Sequence, residues 1–98
     1  MNNQVLIPAI LRFTAQHYTN IMQGITGFDP LEETRKRPVV SARVILAHYL
    51  LLNGYTENQI GVVLNIDHST IHHYRKRYPI LMNYKEEKEL DTKFKQAI

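Results

Sequence analysis

The sequence predicts one small all-α domain, and three observations predict it. No segment sustains the apolar/polar alternation, bounded by hairpin turn signals, that a half-buried strand requires. Ile7, Leu11, Thr14, Tyr18, Ile21 and Ile25 instead recur at alternating spacings of four and three, which is one stripe along a helix. Helix start and stop residues punctuate the rest of the 98-residue chain, a length that allows a single domain.

The first helix spans about residues 8–26. Pro8 suits its first position, where a missing N–H costs nothing, and Gly24 and Gly27 end it. Its stripe is under three heptads long, so packing against the rest of the domain is expected rather than a coiled-coil seam. Phe28 to Thr34 is a connector, with one helical turn expected after Asp29. A basic loop follows over residues 34–38, because Pro38 disfavours helical geometry at Arg37.

A long helix over 38–53 stops at Gly54. Its run from Val44 to Leu52 is apolar nearly all round, so it is expected to be central and buried, with Arg43 facing outward. Thr56 with Gln59 three residues on has the capping-box pattern and opens a short third helix. Gly61 inside that helix loses about 1 kcal/mol of helix propensity relative to Ala, which suggests that another helix comes close there. Asn65-Ile66 makes a tight turn, and the Asp67 carboxylate can cap the next helix.

The fourth helix carries the chemistry. Ile71, Tyr74 and Tyr78 share one face. Ser69, His72, His73 and Lys76 share the other, with Arg77 at its margin. A hydroxyl, imidazoles and cations can meet base edges or phosphates. A short helix, a tight turn and a helix with this outer face make a helix-turn-helix over 56–78, with Asp67 to Thr70 aimed into a major groove. Pro79 is expected to end the helix. The tail, 80–98, reads as a polar final helix anchored by Leu90 and Phe94, with no functional reading.

Charge is concentrated where this motif lies. The formal net charge is +3. From Arg35 to Tyr78 there are seven basic residues (Arg35, Lys36, Arg37, Arg43, Arg75, Lys76 and Arg77) against two acids, Glu57 and Asp67, a net of +5. The remaining five basic and seven acidic residues give −2. Two basic triplets on one small domain are an electrostatic footprint of nucleic-acid binding, although charge alone leaves two solvated patches equally open. RNA is disfavoured, because the A-form major groove is too narrow for a recognition helix and the aromatic residues look internal.

Composition excludes several classes. With 44% apolar and 21% charged residues the chain is ordinary globular material rather than disordered. It has no cysteine, hence no disulfide, thiolate metal site or cysteine nucleophile. It has no apolar run of roughly eighteen residues and no secretory signal. His68 and His72 lie four apart, but no Glu follows the first, so the His-Glu-x-x-His zinc motif is absent. No enzyme activity, cofactor, metal or small-molecule substrate is expected. A protein-interaction module, using the N-terminal stripe and the acidic tail, is the competing class.

The stretch Thr34-Arg35-Lys36-Arg37-Pro38-Val39-Val40-Ser41-Ala42-Arg43-Val44-Ile45, then Ile60-Gly61, then Asp67-His68-Ser69-Thr70-Ile71-His72-His73, resembles the C-terminal DNA-binding domain of the bacterial replication initiator DnaA. The resemblance covers about Phe28 to Arg77. It implies a Trp repressor-like fold and sequence-specific binding to duplex DNA. It implies Arg35 in the minor groove, with Lys36 and Arg37 beside it in the basic loop, and Arg43 on phosphate. It further implies Asp67, His68, Ser69 and Thr70 reading bases in the major groove, and His73 and Arg77, near Lys76, on the backbone. The chain departs from the family at the turn, where Asn65-Ile66 replaces two glycines and a basic residue, and at His72 and Tyr74. The usual DnaA box and a variant of it are both open as targets.

No Gly-x-x-x-x-Gly-Lys-Ser/Thr phosphate loop is present, so no ATPase of that type is expected. The opening Met1 favours a complete product that works as a stand-alone module in the bacterial cytoplasm. Such a module would regulate replication initiation or transcription by occupying initiator-type sites. One chain supplies both groove contacts, so a monomer is expected rather than a dimer.

Overall fold

The computed structural model describes residues 6–98. Five helices follow in order: α1 Ala9–Thr26, α2 Arg37–Leu52, α3 Glu57–Leu64, α4 His68–Leu81 and α5 Lys85–Ala97. There is no strand among the described residues.

Pro8 precedes α1 as its cap, and the Pro8 carbonyl accepts from the N–H groups of Leu11 and Arg12. Gly27 ends the helix in the left-handed region at φ 84°, its N–H donating to Gln23. Gly24, expected to help end the helix, lies inside it. The buried row of α1 is Ala15, Thr19 and Met22, one position round from the expected stripe. Leu11, Tyr18, Ile21 and Ile25 flank that row half-buried. The opposite face exposes Ile10 and Phe13, and Leu6 is exposed just before the helix. After Asp29 the chain makes a single turn, with the Asp29 carboxylate accepting from Leu31 N–H at 2.9 Å.

α2 is the central helix and contacts each of the other four. It starts at Arg37, one residue earlier than expected, with Pro38 in the first turn, where a ring without an N–H breaks no helical hydrogen bond. Ala42, Val44, Ile45, Leu46, Ala47 and Leu50 are fully buried, which explains the nearly all-round apolar run. Gly54, at φ 90°, turns the chain toward α3.

α4 runs two residues past Pro79, contrary to the expected stop. Proline there has no N–H for the Arg75 carbonyl. The extra turn is held by burial of Leu81 and by the Met82 N–H donating to Tyr78. Tertiary packing outweighs the local penalty. α5 closes the domain as a separate helix. Phe94 inserts fully into the core, edge-on to Tyr18 and tilted against Tyr49, and Leu90 is half-buried, as expected of the two anchors.

Candidate nucleic-acid interface

The site is built around the junction of α3 and α4. Thr56 and Gln59 complete both halves of the capping box, each bond at 3.0 Å. α3 ends at Asn65, which adopts φ 55°, a left-handed conformation that Asn tolerates better than most residues. The next N–H, of Ile66, donates back to Gly61 at 2.8 Å. A Cβ at position 61 would stand 2.6 Å from the Ile66 carbonyl oxygen and 3.4 Å from the His68 nitrogen. The expected close approach of another helix at Gly61 is met only by the first residue of α4, and the nearest obstacle is the backbone of the turn. This contact fixes how α4 leaves α3.

Asp67 caps α4. Its Oδ1 accepts from the Ser69 N–H at 2.8 Å and from the Ser69 hydroxyl at 2.6 Å. The Ser69 hydroxyl and N–H hold the Asp67 carboxyl below the usual carboxylate range. His68 stands beside it, Nδ1 at 3.9 Å from Oδ1. Asp67, His68 and Ser69 are exposed, and Thr70 is half-buried.

Ile71 and Tyr74 turn inward against the core, and Tyr78 is half-buried. Ser69, His72, His73, Lys76 and Arg77 are exposed along the outside of α4. The basic loop lies near the start of the same helix. Thr34, Arg35, Arg43, Asn65, Ile66 and Thr70 line one surface depression. The Thr34 hydroxyl accepts from the Lys36 N–H at 3.2 Å and shapes the loop. Among the described residues, the side chains of Arg35, Lys36, Lys76 and Arg77 make no ion pair or hydrogen bond.

Three basic residues are engaged by the protein. Arg43, expected to face outward, is half-buried. It donates from Nε to the Pro30 carbonyl at 2.7 Å and from Nη2 to the Glu32 carbonyl, so it pins the connector instead. The physical reason lies outside α2: the connector presents Arg43 with carbonyls that have no helical donor. Arg37 pairs with the buried Glu87 at 3.0 Å and lies over the Tyr84 ring. Arg75 meets Glu57 at 3.3 Å, and His72 Nδ1 lies 3.1 Å from the same carboxylate oxygen.

Glu57 was not singled out in the sequence. The hydrogen bond to His72, and then that to Arg75, hold its carboxyl below the ordinary value. Its position in the first turn of α3 was the available signal, since an acid there faces helix N–H groups. Its partners on α4 became visible only in the fold. Glu57 ties two of the outward side chains of α4 to α3.

Among the described residues, no three His, Cys, Asp or Glu side chains come together as a metal-binding group, and no helix is long and apolar enough to cross a membrane. No protein-family model matches the chain, and neither a curated protein nor a solved structure matches it.

Proposed function

We propose that the chain binds double-stranded DNA sequence-specifically, as a helix-turn-helix module of the Trp repressor-like type. One observation carries the reading. Arg35, followed by Lys36, lies beside the start of α4, which presents a carboxylate, an imidazole and two hydroxyls, and the unpaired cations Lys76 and Arg77 continue along the exposed side of the same helix. Four exposed cations without a protein partner on the loop and the helix favour a polyanionic partner.

The roles follow from the chemistry. Asp67, His68, Ser69 and Thr70 face base edges in the major groove. A carboxylate accepts from a cytosine amino group, and hydroxyls meet either kind of partner. Lys76, Arg77 and His73 lie further along α4, where a helix seated in the groove passes the phosphates. Arg35 reaches into the neighbouring minor groove, whose negative potential favours arginine, and Lys36 follows the backbone. Arg37 and Arg43 are left out of the contact set, because each already holds a protein partner: Arg37 the Glu87 carboxylate, Arg43 the Pro30 and Glu32 carbonyls. The resemblance to the DNA-binding domain of DnaA supports the same assignment. It favours a monomeric regulator that occupies initiator-type sites without hydrolysing ATP, where it competes with the initiator.

A second reading, a protein-interaction module, draws on Leu6 just before α1 and on Ile10 and Phe13 on its outer face, which are 84%, 66% and 69% exposed. Charge reversal at Arg35 and Lys76 separates the two. A DNA binder loses DNA affinity, whereas an interaction module keeps its contacts.

The test is a titration into a labelled duplex carrying a DnaA box and into a scrambled duplex, at two salt concentrations. The reading expects specific binding tighter by about a thousandfold or more. It expects affinity for both duplexes to fall as salt rises. Equal, salt-sensitive binding to both would move the search to another site, with the shortened turn at Asn65-Ile66 as the reason. Binding to neither would overturn the reading.

A further inference from the structure

α5 places two carboxylates one helical turn apart, and each grips a residue next to a candidate DNA-contacting segment. Glu87 reaches the first turn of α2. It accepts from Arg37 Nε at 3.0 Å, from Arg37 Nη2 at 3.3 Å and from the Ser41 hydroxyl at 3.0 Å. Arg37 is the residue that closes the basic loop. Asp91 reaches α4, where its Oδ1 accepts from the Tyr78 hydroxyl at 2.7 Å. Tyr78 directly follows Arg77 on the helix that carries the candidate base-reading residues. Leu90 and Phe94 share this face of α5 and seat it on the core.

Apolar anchoring alone would not call for either carboxylate. Glu87 is only 6% exposed, and a buried carboxylate is costly unless it is paired and hydrogen-bonded. Its partner Arg37 stays largely exposed, so only the carboxylate end of the pair is desolvated, and the three hydrogen bonds from Arg37 and Ser41 hold that end in one geometry. Both grips have supporting contacts. Arg37 lies 4.8 Å from the Tyr84 ring centroid, and Tyr78 stacks on His48 with centroids 3.4 Å apart. The basic loop and the start of α4 are some thirty residues apart in the chain, so packing sets their separation: α2, which continues from the loop, lies directly against α4, and α5 fastens to both through Glu87 and Asp91. A site that reads two grooves at once needs its groups held to about 0.5 Å.

We propose that α5 is a brace that holds the basic loop and α4 at one separation, with Glu87 and Asp91 as positioning residues for DNA binding that never touch DNA. Arg37 is then a strut, although it belongs to the basic triplet. The relevance to DNA rests on the reading given above; the brace itself does not.

The test has two arms. The chain has no cysteine, so Lys36→Cys with Lys76→Cys gives two unique spin-label sites, one on each reading element. Pulsed dipolar spectroscopy without DNA should show one narrow distance, and adding Glu87→Gln or Asp91→Asn should broaden it while helical circular dichroism is retained. In the second arm, unlabelled Glu87→Gln, Asp91→Asn and Arg37→Met are titrated into the DnaA-box and scrambled duplexes. Each should lose about tenfold or more on the box and much less on the scrambled duplex. The salt slope should stay that of the wild type, because no phosphate contact is removed.

A distance that stays narrow in both carboxylate variants overturns the brace. A salt slope that falls by about one in Arg37→Met makes Arg37 a DNA cation and overturns the strut. A wild type that binds neither duplex ends the DNA reading, and one with no preference moves it to another site. In both cases the distance arm alone decides the brace.

Discussion

The Asp67 carboxylate accepts both the backbone N–H and the hydroxyl of Ser69 through one oxygen, at 2.8 and 2.6 Å. The same atom therefore caps α4 and orients a candidate base-reading side chain, while the second oxygen stays open to a DNA donor. The two roles separate in two variants. Asp67→Ala removes the cap and should lower stability by about 1 kcal/mol in thermal denaturation. Asp67→Asn keeps an acceptor oxygen and should leave stability nearly unchanged. It should weaken preference for the recognised duplex by about 1–3 kcal/mol, because an amide cannot replace the charged acceptor. An Asn variant that binds as the wild type does would reduce Asp67 to a cap.

Gly61 tests the junction itself. On propensity alone, Ala at this helical position would stabilise by about 1 kcal/mol. The Ile66 carbonyl at 2.6 Å from the built Cβ reverses that expectation, because the obstacle is backbone and cannot swing aside. Gly61→Ala should destabilise by about 1–3 kcal/mol in chemical denaturation. If the domain still folds, α4 is displaced and DNA preference falls with it. Unchanged or raised stability would show that the junction yields easily.

Arg43 separates a structural cation from a phosphate contact. Its donors go to the Pro30 and Glu32 carbonyls, which hold the connector against α2. Arg43→Met keeps the stem and removes the hydrogen bonds. A loss of about 1–3 kcal/mol in stability is expected, in the range for hydrogen bonds to charged groups. The salt dependence of DNA binding should not change. A slope reduced by about one would return Arg43 to the phosphate-contacting set.

What the sequence made legible was local. The Thr56 capping box, the Asp67 cap and the inward set Ile71, Tyr74 and Tyr78 depend on residues within one or two turns and are as read, while at Gly61 the crowding is present but comes first from the turn carbonyl rather than from another helix. Arg37, Arg43 and Glu87 were opaque because their partners lie 50, 11 to 13 and 46 to 50 residues away. Charge counting treats every arginine of a triplet alike. Burial of one carboxylate distinguishes Arg37 from Arg35 and Lys36, and no periodicity announces it. Pro79 misled for the same reason: its local rule is sound, but Leu81 is drawn inward by packing the sequence does not display.

The pH dependence of stability follows from four groups that all titrate low in the fold. The Ser69 donors lower Asp67, and the His72 contact followed by Arg75 lowers Glu57. Burial alone would raise Glu87, but the hydrogen bonds from Arg37 and Ser41 outweigh it and leave it lowered. Burial lowers His48, which lies edge-on to Tyr49 and stacked on Tyr78, against a weaker opposing pull from Asp91. In each case the unfolded chain binds protons at a higher pH than the fold does, so stability rises with pH. The His48 contribution is complete above about pH 6.5 and is lost as pH falls from there through its lowered value. The carboxylate contributions are complete above about pH 4.5 and are lost on further acidification. Melting temperature should therefore descend in two stages between pH 8 and pH 3. His48→Phe keeps a ring stacked on Tyr78 and removes the imidazole, so it should abolish the upper stage and leave the lower one. A variant whose melting temperature still falls as the wild type's does between pH 7 and pH 5.5 would assign that stage to another group.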